Sequence, residues 1–174
     1  MTRLLAIDGS YREDGVTDRA VAAVAEAARA AGAEVETVVL REWAIGFCWN
    51  CRECTQKPGP EPGRCVQDDA MAELVERLEA ADGYILASPT NFGTVTALFK
   101  RFMERLVVYA YWPWGQGAPR PRKTGRPGKP AVLISSSAAP AWLGRWLFDS
   151  RRRLRMTARV LRSEEHTSEL QSPS

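Results

Sequence analysis

The stretch that constrains this chain most is its first strand and the turn after it. Arg3-Leu4-Leu5-Ala6-Ile7-Asp8 is a short apolar run, Gly9-Ser10-Tyr11-Arg12-Glu13-Asp14-Gly15-Val16-Thr17 is small and polar, and a helical pattern follows at once. A strand that opens through glycine and hydroxyl residues onto a helix start aims free main-chain N–H groups at one point. The helix N-terminus adds partial positive charge there. That is a phosphate cradle in outline. Glycine and serine serve turn geometry as well, so the rest of the chain has to decide between the two.

The order of the remaining elements narrows the fold. A helix is expected from Thr17 or Asp18, both good N-cap residues, to Ala31, with Val21, Val24, Ala25 and Ala28 on one face and Gly32 as its stop. A second strand follows over Glu34 to Leu40. Asp68 and Asp69 start a second helix whose buried stripe is Met71, Leu74, Val75 and Leu78. The third strand, Tyr84 to Ala87, ends in the polar loop Ser88-Pro89-Thr90-Asn91-Phe92-Gly93-Thr94. Val95, Leu98, Phe99, Phe102, Met103 and Leu106 then mark the clearest helix, and these are core residues. The fourth strand, Ala131 to Ser135, opens into Ser136 and Ser137. A last helix is expected from Ala141 to Val160, with Leu143, Trp146, Leu147 and Leu154 facing in. Strands alternating with helices make an α/β fold with a parallel sheet and right-handed crossovers. Ligands of such sheets bind beyond the carboxyl ends of the strands. Three small, polar loops lie there, which together argue for a phosphorylated cofactor.

Composition excludes several chemistries. The single histidine, His166, falls within residues 162–172, which read like a translated sequencing adaptor. The expected domain is therefore 1–161, with 162–174 a foreign, disordered tail. Without that histidine, Ser-His-Asp and Cys-His catalysis and histidine-ligated metals drop out. No apolar stretch is long enough to span a bilayer, and no secretory pattern opens the chain, so the expected setting is the cytoplasm. The net charge of +3 is too mild to argue for nucleic acid. Nothing aromatic interleaves Arg151, Arg152, Arg153 and Arg155.

Cysteine use is the second strong feature. All four cysteines, Cys48, Cys51, Cys54 and Cys65, lie in a long loop from about Arg41 to Gln67, stiffened by Pro58, Pro60 and Pro62. Loops of that length are usually functional or disordered. Clustered cysteines in a cytosolic chain favour metal or redox use over disulfides. Three readings stay open: a [4Fe–4S] cluster, a structural zinc, or free thiols in a lid. Three cysteines at i, i+3 and i+6 favour the cluster over zinc.

Together these residues resemble a known family. Gly9-Ser10-x-Arg12-x-x-Gly15-x-Thr17 resembles the phosphate loop of the flavodoxin-like NADPH-dependent FMN reductases. The four cysteines followed by Val66-Gln67-Asp68-Asp69 resemble the cysteine segment of the iron–sulfur flavoproteins, although the last gap is longer than the compact family pattern. The run from Ala87 to Phe102 resembles the family's flavin loop and helix. The likeness covers residues 3 to about 160. It implies a flavodoxin-like parallel sheet in the order 2-1-3-4-5 with helices on both faces, and FMN at the junction of strands one and three. Ser10, Arg12 and Thr17 would hold its phosphate, with the Gly15 N–H nearby. Pro89, Thr90, Asn91, Phe92 and Gly93 would line the isoalloxazine, and Ser136 and Ser137 would approach it from strand four. NADPH or NADH would be the co-substrate. The acceptor would be a small molecule or a redox protein; the rival is an FMN/[4Fe–4S] electron carrier between proteins. The Tyr109–Trp114 aromatics suit a cover over a partner's flavin or a dimer seam, so a homo-oligomer is expected. Arg120, Arg122, Lys123, Arg126 and Lys129 suit either a nucleotide phosphate or plain solvent. The family's fifth strand and last helix are expected to be missing, which would leave strand four an unprotected edge.

Overall fold

The computed structural model describes residues 1–122, 128–140, 148–161 and 163–166. Strands β1 (Arg3–Asp8), β2 (Glu34–Val39), β3 (Gly83–Asn91) and β7 (Lys129–Ser136) are parallel neighbours in the order β2-β1-β3-β7. Leu5, Ala6 and Ile7 are all buried, as both-face coverage of a parallel sheet requires. The pleat sends alternate residues to opposite faces. Leu5 and Ile7 join one core with Leu74, Leu86, Phe99 and Phe102, while Ala6 joins another with Val21, Ala25, Ile85 and Ile134. Helix α1 (Val16–Ala30) supplies Val21 and Ala25; α2 (Met71–Ala80) and α3 (Ala97–Arg105) supply the first core. Leu154 and Ala158 of α4 (Ser150–Val160) belong to the first core as well.

Several boundaries differ from the sequence reading, each for a physical reason. Helix α1 starts at Val16 with Gly15 in the cap position, not at Thr17 or Asp18. The Thr17 hydroxyl is bonded to Ser136 and the Asp18 carboxylate to Arg41, so neither caps the helix. Helix α2 starts at Met71, and Asp69 Oδ1 accepts from the Met71 N–H. Strand β3 runs on through Pro89, Thr90 and Asn91. The two-residue strand β4 (Thr94–Val95) folds back antiparallel on its end, and pairing with β7 persists to Pro89 and Ser136. Val95 therefore sits in a strand, and α3 begins only after Thr96. The segment between α3 and β7 contains a small two-stranded sheet, β5 (Ala110–Tyr111) with β6 (Arg120–Pro121), which the residue pattern did not indicate. The first part of the expected last helix, 141–147, including Leu143, Trp146 and Leu147, lies outside the described residues, as do Lys123 and Arg126.

The fifth sheet position differs most. Strand β8 (Ser163–His166) pairs parallel to β7, from Lys129 opposite Ser163 to Val132 opposite His166. The edge expected to stay open at β7 is thus paired, by residues inside the adaptor-like stretch. Main-chain ladder bonding makes few demands on side-chain identity, so this pairing was not readable from residue types. Residues 162 and 167–174 lie outside the described residues.

Gly9 lies where β1 meets α3. A Cβ there would stand 2.9 Å from Phe99 Cβ and 3.2 Å from the Ala87 carbonyl oxygen. Gly9→Ala should therefore lower stability by about 1–3 kcal/mol through overpacking, read as a drop in the urea midpoint at unchanged slope.

Candidate cofactor site and cysteine pocket

The three loops named from sequence meet at the carboxyl edge of the sheet. The Gly9 N–H donates to the Ala87 carbonyl at 2.9 Å. The Thr96 hydroxyl donates to the Gly9 carbonyl at 2.7 Å and accepts from the Phe99 N–H at 3.1 Å, capping α3 while gripping the first loop. The Thr96 N–H donates to Ser88 Oγ at 3.1 Å. The hydroxyls of Thr17 and Ser136 share a 2.8 Å hydrogen bond, which ties α1 to the end of β7. Ser10 orders the turn itself: its hydroxyl donates to the Arg12 carbonyl at 3.0 Å and accepts from the Arg12 N–H at 3.2 Å. No side chain caps α1, so the N–H groups of its first turn keep the donors and partial positive charge that suit an anion. Gly15 lets the turn fold tightly, since a Cβ there would stand 3.3 Å from the Arg12 carbonyl oxygen.

The residues expected to line a ring are divided. Thr90 Oγ1 shares a 2.7 Å bond with Ser150 Oγ, and the Gly93 carbonyl accepts from the Asp149 N–H at 2.7 Å, so β3's end rests on the start of α4. Phe92 is fully exposed, at a φ of 48°, with Gly93 next at 79°. Its ring therefore does not pack under the loop. Asn91 and Arg12 are exposed, Pro89 is half-buried, and Ser137 Oγ accepts from the Ala139 N–H at 3.1 Å.

Beneath the cradle lies a group the sequence did not single out. Asp8 is 2% exposed, and its Oδ1 accepts from the Ser10 N–H at 2.8 Å. Burial, helped by the nearby Asp18 carboxylate, pushes its carboxyl up to about 6, against the pull of the Ser10 N–H and Arg41. Arg41 also donates to the Ser10 carbonyl at 3.3 Å and pairs with Asp18 at 3.1 Å.

The second candidate centre is a pocket lined by Cys48, Cys51, Cys54 and Cys65, together with Gln67 and Arg105. Two left-handed residues, Asn50 (φ 53°) and Arg52 (φ 60°), turn the backbone between the first three cysteines. The Asn50 N–H donates to Cys48 Sγ at 3.4 Å. Arg52 is held over Trp112 and Trp114, with 3.7 and 4.5 Å from its guanidinium carbon to the ring centroids. All four thiols are unbridged, and burial followed by the neighbouring Cys65, Cys48 and Cys51 pushes the Cys54 thiol up to about 11. Among the described residues no three Cys, His, Asp or Glu side chains converge as ligands of a single ion.

Residues 2–168 match the family described as NADPH-dependent FMN reductase. The chain belongs to that family. Among curated proteins, this FMN reductase family member is 35% identical over 115 residues to an iron-sulfur flavoprotein of Archaeoglobus fulgidus, covering 66% of this chain and 50% of that one. It is 31% identical over 106 residues to an iron-sulfur flavoprotein of Methanosarcina thermophila, covering 61% and 53%. The chain thus spans about half the length of the curated relatives it matches. Two solved structures share the fold. An NAD(P)H:quinone oxidoreductase from Methanothermobacter marburgensis has a TM-score of 0.67 at 18% identity, covering 96% of this chain and 85% of that one. An FMN-dependent NADH-azoreductase from Bacillus anthracis in complex with FMN has a TM-score of 0.66 at 12% identity, with the same coverages. The flavodoxin-like α/β fold expected from sequence is the fold observed. No helix among the described residues is long and apolar enough to cross a membrane.

For this FMN reductase family member, Asp8 yields a test with a definite sign. Its folded value of about 6 lies above the ordinary 3.8. The native state therefore binds more protons between those values, and Asp8 makes stability fall as the pH rises through that window. Asp8→Asn should stabilise the protein at pH 7 by on the order of 2 kcal/mol. Denaturation measured across the window should show that gap closing as the pH falls towards 4.

Proposed function

We propose that the cradle at the ends of β1, β3 and β7 binds FMN and that the protein is an FMN-dependent oxidoreductase fed by NADPH or NADH. The uncapped first turn of α1 carries this reading, because its free N–H groups meet Thr17, bonded to Ser136, at the point where a phosphate would sit. The donor set fits the group: hydroxyls, main-chain N–H groups and the nearby Arg12 for a phosphate, and the β3 end from Pro89 to Gly93 for a flat ring. FMN, when bound, supplies hydride acceptance and onward electron delivery, with no protein acid or base required for the central step. The chain's own part is positional. Ser10 holds the turn's shape, Thr96 holds the turn against α3, and Ser136 and Ser137 bring β7 to the ring's side. The acceptor is a small molecule, such as a flavin or quinone, or a redox protein. Exposed Phe47, Trp49 and Trp114 near the cysteine pocket suit burial against a second copy.

A specific observation favours a second reading, an FMN/[4Fe–4S] electron carrier. Four cysteines surround one pocket, with a main-chain N–H already directed at Cys48. Cysteine-only ligation suits such a cluster. Three cysteines at i, i+3 and i+6 favour the cluster over a structural zinc, which more often takes two separated pairs. The relatives' name, iron-sulfur flavoprotein, agrees with this reading.

Spectra test both. Protein mixed with FMN and freed of excess should be yellow, and Thr17→Val should weaken FMN binding about tenfold, about 1.4 kcal/mol, in a fluorescence titration. Protein that retains no FMN overturns the proposal. Mixing the loaded protein anaerobically with NADPH or NADH should bleach the flavin band; a flavin that stays oxidised with both removes the reductase activity. After reconstitution with iron and sulfide, Cys51→Ala should lose the brown absorbance and the bound iron. Unchanged iron content removes the cluster.

A further inference from the structure

The largest fully buried side chain in the described structure is a charged one, Arg105, 1% exposed at the C-terminal end of α3. Its position satisfies the helix dipole, but its hydrogen bonds serve the cysteine loop. Nη1 donates to Asp69 Oδ2 at 2.6 Å, to the Gly46 carbonyl at 3.0 Å and to Gln67 Oε1 at 3.4 Å. Nη2 donates to Asp69 Oδ1 at 3.0 Å and to Cys65 Sγ at 3.4 Å. The Gly46 N–H closes the ring onto Asp69 Oδ2 at 2.7 Å. Gly46 precedes the first cysteine and Gln67 and Asp69 follow the last, so this clasp pins both ends of the loop. Contact is close enough that a Cβ at Gly46 would fall 2.5 Å from Gln67 Oε1. Burial would raise the Asp69 carboxyl, but Arg105 and the N–H groups of Gly46 and Met71 outweigh it and hold the carboxyl below the ordinary range.

The bond from Nη2 to Cys65 adds nothing to that closure, since Asp69, Gly46 and Gln67 already complete it. We propose that Arg105 is a positioning residue for the cysteine centre, which fixes Cys65 and, through its N–H···S bond, raises the reduction potential of a [4Fe–4S] cluster held by the four thiolates. The inference rests on the cluster reading above. One-electron reduction puts one more negative charge on the thiolate-ligated unit, breaks no bond and leaves Arg105 protonated; dithionite is the donor in the titration. A charged donor aimed at a ligating sulfur favours that more negative state, and hydrogen bonds to sulfur are among the determinants of cluster potentials.

The test uses the full chain reconstituted with iron and sulfide. Arg105→Lys keeps the charge beside Asp69, but a single ammonium lacks the planar fork that reaches both the carboxylate and Cys65. Arg105→Met with Asp69→Asn removes both charges and leaves no orphaned carboxylate, so a folded protein is available if the lysine variant fails. Both should hold wild-type iron and sulfide per chain. Their potentials, read by electron paramagnetic resonance during the titration, should fall so that the reduced-to-oxidised ratio at fixed potential drops about tenfold, about 59 mV for one electron. A wild-type potential in any variant that carries the cluster overturns the assignment, because a merely structural clasp would not move it. Variants that lose iron altogether overturn it too, by making Arg105 a requirement for assembly. Wild-type protein that takes up no iron overturns the cluster reading itself, and that result is seen before any variant is made.

Discussion

The turn after β1 stays open because its main chain is satisfied from outside. A buried backbone polar group left unpaired costs as much as a lost hydrogen bond. Here the Gly9 carbonyl is met by the Thr96 hydroxyl and the Gly9 N–H by the Ala87 carbonyl. The same hydroxyl caps α3 and the Thr96 N–H donates to Ser88 Oγ, so one residue joins the first loop, the third strand's end and the following helix. With those needs met by neighbours, the first turn of α1 is left with unspent donors. Those free donors result from the way the strand ends are laced, not from the glycines alone.

The cysteine loop depends on a different device. A long loop with unbridged thiols has little core of its own, and it is held at its base by buried Arg105 paired with half-buried Asp69. Buried ion pairs seldom add net stability, because desolvation offsets their attraction. Their geometry is demanding, however, and a planar guanidinium that also reaches Gly46, Gln67 and Cys65 places both loop ends to within a hydrogen bond's tolerance. The Arg52 stack on Trp112 and Trp114 and the donation from the Arg52 guanidinium to the Trp112 carbonyl at 2.7 Å tie the loop's middle to the segment after α3. The cysteines thus sit on a framed loop whose supports come from distant parts of the chain.

Local pattern carried much of the fold. The valine and alanine stripe of α1, the continuous apolar run of β1 and the α3 stripe are patterns of neighbouring residues, visible in any window that contains them. Ser10, Gly15 and Thr17 could be singled out because strand–turn–helix chemistry is local. The pairing of Arg105 with Asp69 could not. Asp69 reads as a helix start after the cysteine segment and Arg105 as a helix-end charge, and the partners stand 36 residues apart in the chain. The extension of β3 through Pro89 to Asn91 was equally hidden, since it is set by the pairing of β4 and β7. Phe92, expected beside a flavin ring, is fully exposed on a left-handed stretch of backbone, a local conformation that residue type alone does not reveal.

The sequence by itself determined the parallel α/β class, the three polar strand ends and the cysteine spacing, because each is written in residues close together along the chain. Tertiary structure alone decided that Thr17 meets Ser136, that Thr96 reaches Gly9, that four cysteines share a pocket with a buried arginine, and that Ser163–His166 fills the sheet's fifth place. These are contacts between groups far apart in the chain. Their partners are chosen by packing geometry and by the need to satisfy buried polar groups, neither of which a linear pattern records.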